Sequence, residues 1–119
     1  AVYQKLVYCD FFVQGGYAMA VTCKAENRAL YAAIDGEVDH HRARQILGEL
    51  VRQIDLTMPR HLTVDLGGVS FMDSSGIAVL LRASRRMSEL EGTMEVVHVP
   101  EQAGKVLRAA GLDRLIKFE

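Results

Sequence analysis

Ser70-Phe71-Met72-Asp73-Ser74-Ser75-Gly76 is the stretch whose residue types and spacing could do chemistry. It follows an alternating segment, residues 61–66, and precedes an amphipathic run that begins near Ser75. In α/β sheets, ligands and functional groups gather outside the carboxyl ends of strands. Free N–H groups at a helix N-terminus, with the positive end of the dipole, stabilise a phosphate or carboxylate there. Two hydroxyls and a carboxylate at that place could therefore hold a phosphate or receive one. The competing reading is a helix cap, because Asp and Ser are among the commonest N-caps. One cap needs one side chain, however, and three short polar residues stand here behind Phe71-Met72.

A second polar cluster, Gly36-Glu37-Val38-Asp39-His40-His41, occupies another strand-to-helix connection. Asp39 is its natural N-cap. Adjacent histidines point to different sides of a helix, whereas metal sites favour i, i+3 or i, i+4 spacing, so no metal is expected. The cluster can lie beside Asp73-Ser74 at one edge of the sheet. A catalytic set is not expected either. There is no G-x-S-x-G, and no base is placed for Ser74 by spacing. Gly67-Gly68 is too short to cradle phosphates, and His61 and His98 fall in strands.

The elements that must position these residues follow from periodicity. Residues 20–24 and 29–34 read as strands joined by the polar turn Glu26-Asn27-Arg28, hence a hairpin, with Asp35-Gly36-Glu37 ending the second. A first helix is predicted over 40–55, with Ala43, Ile46, Leu47, Leu50, Val51 and Ile54 as its apolar stripe and Gln53 on the wet side. A strand over 61–66 leads into the Ser70–Gly76 loop. A second helix over 75–90 carries Ile77, Leu80, Leu81, Ser84, Met87 and Ser88 inward, with Gly92 at C′. After a strand over 93–99, Pro100 at N1 opens a third helix that turns Ala103, Val106, Leu107 and Ala110 inward and ends at Gly111. A short strand over 115–118 closes the chain.

The order β-β-α-β-α-β-α-β predicts an α/β single domain with a mixed, mostly parallel sheet. The one-sided alternation of residues 61–66 places the helices mainly on one face, since strands covered on both faces read as continuous apolar runs.

Composition narrows the function classes. The chain has 119 residues, half of them hydrophobic and about a quarter charged, with a formal net charge of -1. That is one globular domain with no electrostatic case for direct nucleic-acid or membrane binding. Cys9 and Cys23 lack CxxC spacing and read as thiols in a reducing compartment, so a cytoplasmic protein is expected. Residues 6–23 hold a single charge, Asp10, but Asp10, Gln14 and Gly15-Gly16 suit neither a membrane span nor a signal peptide. Residues 1–18 hold five of the eight aromatics and look unlike the rest. They are either an extension added outside the domain or misassigned, with the domain proper over 19–119, or they supply an extra edge strand over 6–13.

The Gly36–His41 and Ser70–Gly76 stretches, followed by Ala110-Gly111-Leu112 and Ile116-Lys117-Phe118, resemble the STAS-domain anti-sigma factor antagonists over about 19–119. The D-H-H and F-M-D-S-S-G pairing is most similar to the sporulation members, which oppose the sigma-F anti-sigma factor. The resemblance implies a STAS fold and a protein-binding switch without catalysis or cofactor. Its partners would be an anti-sigma factor with serine kinase activity and a serine phosphatase. By the same resemblance Ser74 is the phosphorylated residue, held out at the strand end, while Ser75 with the N–H groups that follow serves the helix entrance. Asp39, Phe71, Asp73, Ser74, Ser75, Gly76 and Ile77 form the partner-binding surface. Such proteins usually run on into a C-terminal helix, whereas this sequence stops at Glu119. A stress-response antagonist, or a regulatory ligand-binding STAS domain of the kind attached to anion transporters, are the alternatives within the fold.

Overall fold

The computed structural model describes residues 7–12 and 19–119, with side chains described from residue 21 onward. Six strands form one sheet in the order of the chain: β1 (Val7–Phe12), β2 (Met19–Glu26), β3 (Ala29–Val38), β4 (His61–Met72), β5 (Thr93–Val97) and β6 (Lys117–Phe118). β1, β2 and β3 pair antiparallel, and β3 to β6 pair parallel. The helices α1 (His40–Thr57), α2 (Ser75–Glu89) and α3 (Glu101–Ala109) make the crossovers between the parallel strands. Right-handed crossovers that all step in one direction put their helices on one face of the sheet. The α/β class, the mixed sheet and the element order of residues 19–119 are those read from the sequence. The edges of residues 6–13, and Tyr3 and Tyr17, lie outside the described residues.

Burial follows the crossover rule. Val21, Cys23, Leu30, Ala32, Ile34, Leu62, Val64, Leu66 and Val96 point under the helices and are buried. Their alternates Tyr31, Thr63, Asp65 and Glu95 line an open, polar face. α1 packs with Ala43, Ile46, Leu50 and Ile54. Gln53, expected on the wet side, is instead 4% exposed and donates to Glu49 Oε2 at 2.7 Å. The α2 stripe is rotated from the expected one. Gly76, Val79, Leu80, Ala83 and Met87 are buried, while Ser88 is exposed. In α3, Gly104 is buried and Ala110 is exposed at the C-cap, beyond the last helical residue; the helix starts one residue later than predicted, with Pro100 at the cap.

Three departures shape the functional edge. The hairpin turn is the two-residue Asn27-Arg28, both at positive φ, the primed geometry that matches strand twist. β3 does not end at Asp35 but continues to Val38 through a register shift at Gly36, whose φ of 87° only glycine adopts freely. β4 likewise runs on to Met72, so Ser70-Phe71-Met72 are strand and the loop shrinks to Asp73-Ser74. At the far end, Glu91 rather than Gly92 takes the left-handed position after α2. The last strand is reduced to Lys117–Phe118, with Leu115 68% exposed before it.

Candidate functional site

Parallel pairing of β3 with β4 runs to their last residues, with Val38 opposite Met72. The residues that follow, Asp39 and Asp73, therefore leave the sheet side by side. The N–H of Asp73 still donates to Val38 O at 3.1 Å, which fixes that spacing. Two helix N-termini open at this edge, presenting N–H groups that need acceptors.

Asp39 is extended, with φ -109° and ψ 179°, and its Oδ1 accepts from the N–H groups of His41 and Arg42, each at 3.0 Å. This is the N-cap expected from the sequence. The second loop is built differently. Ser74 occupies the cap position of α2 but has helical φ and ψ and makes no side-chain cap bond. Asp73 takes over that duty. Its Oδ1 accepts from Ser75 N–H at 2.7 Å, and its Oδ2 accepts from His40 N–H, in the other loop, at 3.2 Å. One carboxylate thus ties the start of α1 to the start of α2. At the helix entrance expected of Ser75 and the N–H groups that follow, Ser75 contributes its N–H, and the capping oxygen belongs to Asp73.

Ser74 is left exposed at the tip of the turn. Its carbonyl accepts from Ile77 N–H at 3.1 Å, so the backbone is held while the hydroxyl is not used for capping. Phe71, at 44% exposure, stands out from the end of β4, whereas its neighbour Met72 is buried. Gly76 is buried against Met72, and a Cβ there would lie 2.5 Å from Met72 Cγ and Sδ. Ile77 is half-buried against the core. Asp39, Phe71, Asp73, Ser74, Ser75, Gly76 and Ile77 are all drawn from the two adjoining connections and the strand end and helix start that flank them.

A contact that no spacing rule could reveal joins α3 to the end of β4. Gln102, in the first turn of α3, accepts from Met72 N–H at 2.8 Å and donates to Met72 O at 2.7 Å. The two residues are thirty positions apart, and only the tertiary fold joins them.

Two further polar clusters sit on the open face. Asp65 takes the hydroxyl of Tyr31, the N–H of Gly67 at 2.8 Å, and lies 3.1 Å from His98 Nδ1. Hydrogen bonding to that carboxylate, with some burial, pushes Tyr31 up to about 12. Burial drives Asp65 upward, but bonds from Tyr31, Gly67 and His98 more than reverse it and hold the carboxyl below its ordinary value. His61 contacts Thr93 Oγ1 at 2.6 Å and Glu95 Oε1 at 3.1 Å. These clusters are not joined to Ser74. Among the described residues no three His, Cys, Asp or Glu come together as a metal-holding group, and no helix is long and apolar enough to cross a membrane.

Set against known proteins, residues 20–119 match the STAS domain. The chain belongs to the STAS-domain family. An anti-sigma F factor antagonist of Paenibacillus polymyxa is 28% identical over 87 residues, 73% of this STAS chain and 74% of the relative. The structure of the anti-sigma factor antagonist SpoIIAA in its unphosphorylated form superposes with a TM-score of 0.73 at 24% identity, over 84% of this chain and 88% of that one. The Bacillus cell fate determinant SpoIIAA in the phosphorylated form gives 0.62 at 20% identity, over 95% and 91%.

Proposed function

We propose that this STAS domain is an anti-sigma factor antagonist whose switch is the hydroxyl of Ser74. The observation that carries the reading is the exposed, cap-free Ser74 between two helix N-termini, in a chain whose relatives are described as anti-sigma factor antagonists. The role is regulatory, with no catalysis by this chain and no cofactor. In the unmodified state the surface formed by Asp39, Phe71, Asp73, Ser74, Ser75, Gly76 and Ile77 binds an anti-sigma factor that is also a serine kinase, and the sigma factor is released. The setting is cytoplasmic.

Phosphorylation forms a bond from Ser74 Oγ to the γ-phosphorus of ATP, breaks the bond to the leaving ADP, and passes the hydroxyl proton to a base on the kinase. A serine phosphatase reverses the modification. The phosphate brings about -1.5 to -2 charges at pH 7. At the start of α2 that charge meets the positive end of a helix dipole, so the fold tolerates it. Against a partner it meets Asp73 and the Asp39 loop, adds to their negative field and must be desolvated. A penalty of about 3–4 kcal/mol weakens binding by a hundredfold or more.

The test is incubation with the cognate anti-sigma kinase and ATP, followed by mass spectrometry of peptides. One phosphate on Ser74, absent from Ser74→Ala, is the expected result. Phosphate on Ser75, or none, would overturn the assignment.

A further inference from the structure

β4 outruns its neighbour on one side. The pairing with β5 stops at Asp65 opposite Val97, and the chain then turns at His98, whose φ is 55°, towards Pro100 and α3. Residues 66–72 of β4 keep β3 on one edge and, among the described residues, have no strand on the other. In a parallel strand the N–H and C=O of one residue point to the same edge, and successive residues alternate. Asp73 N–H is spent on β3, so both polar groups of Met72 face the side where β5 has ended. Those groups need partners, because a buried and unpaired peptide group is costly.

Gln102 supplies both at once, at 2.8 and 2.7 Å. A primary amide carries a donor and an acceptor, which is what a strand would offer. A carboxylate can only accept and an ammonium can only donate. The residue so clamped is two positions before Ser74, and its side chain packs beneath Gly76.

We propose that Gln102 is a positioning residue for the Ser74 loop. Its side chain acts as a one-residue strand that locks the end of β4, so α3 sets the frame in which the serine is presented. This deepens the phospho-switch reading and rests on it for the purpose of the loop, though the tether can be measured without a kinase.

Amide hydrogen exchange, residue by residue, on the whole chain and its Gln102→Ala and Gln102→Glu variants tests the tether. In Gln102→Ala the Met72 amide is expected to exchange more than tenfold faster, with smaller rises at Asp73 and Ser75. Val64 and Leu80, in the core, should keep their rates. Gln102→Glu keeps the acceptor for Met72 N–H but loses the donor to Met72 O, so it should fall between. Unchanged Met72 exchange in Gln102→Ala would overturn the proposal. So would an equal acceleration at Val64 and Leu80, which would make Gln102 a contributor to global stability only. With the cognate kinase and ATP, Gln102→Ala should lower kcat about tenfold with KM little changed, and an unchanged kcat would remove the positioning role. Wild-type protein that takes no phosphate on Ser74 would overturn the switch reading alone, since the exchange rates still decide whether Gln102 holds the loop.

Discussion

Asp73 at the helix edge and Asp65 on the open face begin alike and end differently. Each accepts from the N–H two residues ahead, at 2.7 Å from Ser75 and 2.8 Å from Gly67. Asp73 spends its other oxygen on a second backbone amide, that of His40, and so joins two helices. Asp65 spends its other bonds on the side chains of Tyr31 and His98, and the Tyr31 hydroxyl is raised by its bond to the carboxylate. Backbone amides do not change protonation, so the partners in the first arrangement are fixed scaffold, whereas the Tyr31 hydroxyl in the second responds to high pH. The fixed arrangement is also what frees Ser74. With capping moved back one residue, the serine in the cap position keeps an uncommitted hydroxyl.

The largest effect should come from charging that hydroxyl position. Ser74→Asp is expected to weaken binding to the anti-sigma kinase by a hundredfold or more, while unfolding free energy in urea stays within about 0.5 kcal/mol of wild type, as for other exposed sites. Binding by Ser74→Asp equal to that of Ser74→Ala would break the contrast between scaffold and switch. Next comes the bridge. Asp73→Ala loses a cap on α2, which contributes about 1 kcal/mol, and a further bond to the start of α1, which contributes about 0.5–1.5 kcal/mol, and so should cost about 2 kcal/mol. Asp39→Ala loses a cap within one helix, which costs about 1 kcal/mol. Equal losses for the two variants in urea titrations would mean that Asp73 does not couple α1 to α2.

The sequence carried the edge itself but not its wiring. Alternation in residues 61–66 and the helical stripe from Ala43 to Ile54 were enough to order the elements, and parallel order then brings Asp39 and Asp73 together. The second half of β4 was hidden because Gly67-Gly68 looks like a loop. In the fold, a Cβ on Gly68 would overlap the Asp35 carboxylate, so the glycine there makes room inside a strand. Residue types do not place the cap, because Asp73, Ser74 and Ser75 are all capping types, and backbone angles decide among them. Gln102 and Met72 share no local pattern at all. A contact across thirty residues becomes visible only when β5 stops short and α3 fills its place.

The smallest expected effect separates the responsive carboxylate from the fixed one. Tyr31 is raised from 10.0 to about 12 in the fold, by its hydrogen bond to Asp65 first and by burial second. A group held protonated by folding stabilises the protein fully below its unfolded pKa and loses that contribution as pH rises through the folded value. The relevant window is therefore about pH 10 to 12, and stability should fall across it. The loss is modest, because Tyr31 is 38% exposed and solvent screens the pair. The informative quantity is the difference between wild type and Tyr31→Phe. Urea unfolding from pH 9 to 11.5 should show a shallower decline in Tyr31→Phe, while Asp73→Ala, whose lost partners are backbone amides, keeps the wild-type slope. Parallel curves for wild type and Tyr31→Phe would mean that the Tyr31–Asp65 bond does not couple folding to pH, and the distinction between the two aspartates would then rest on the helix edge alone.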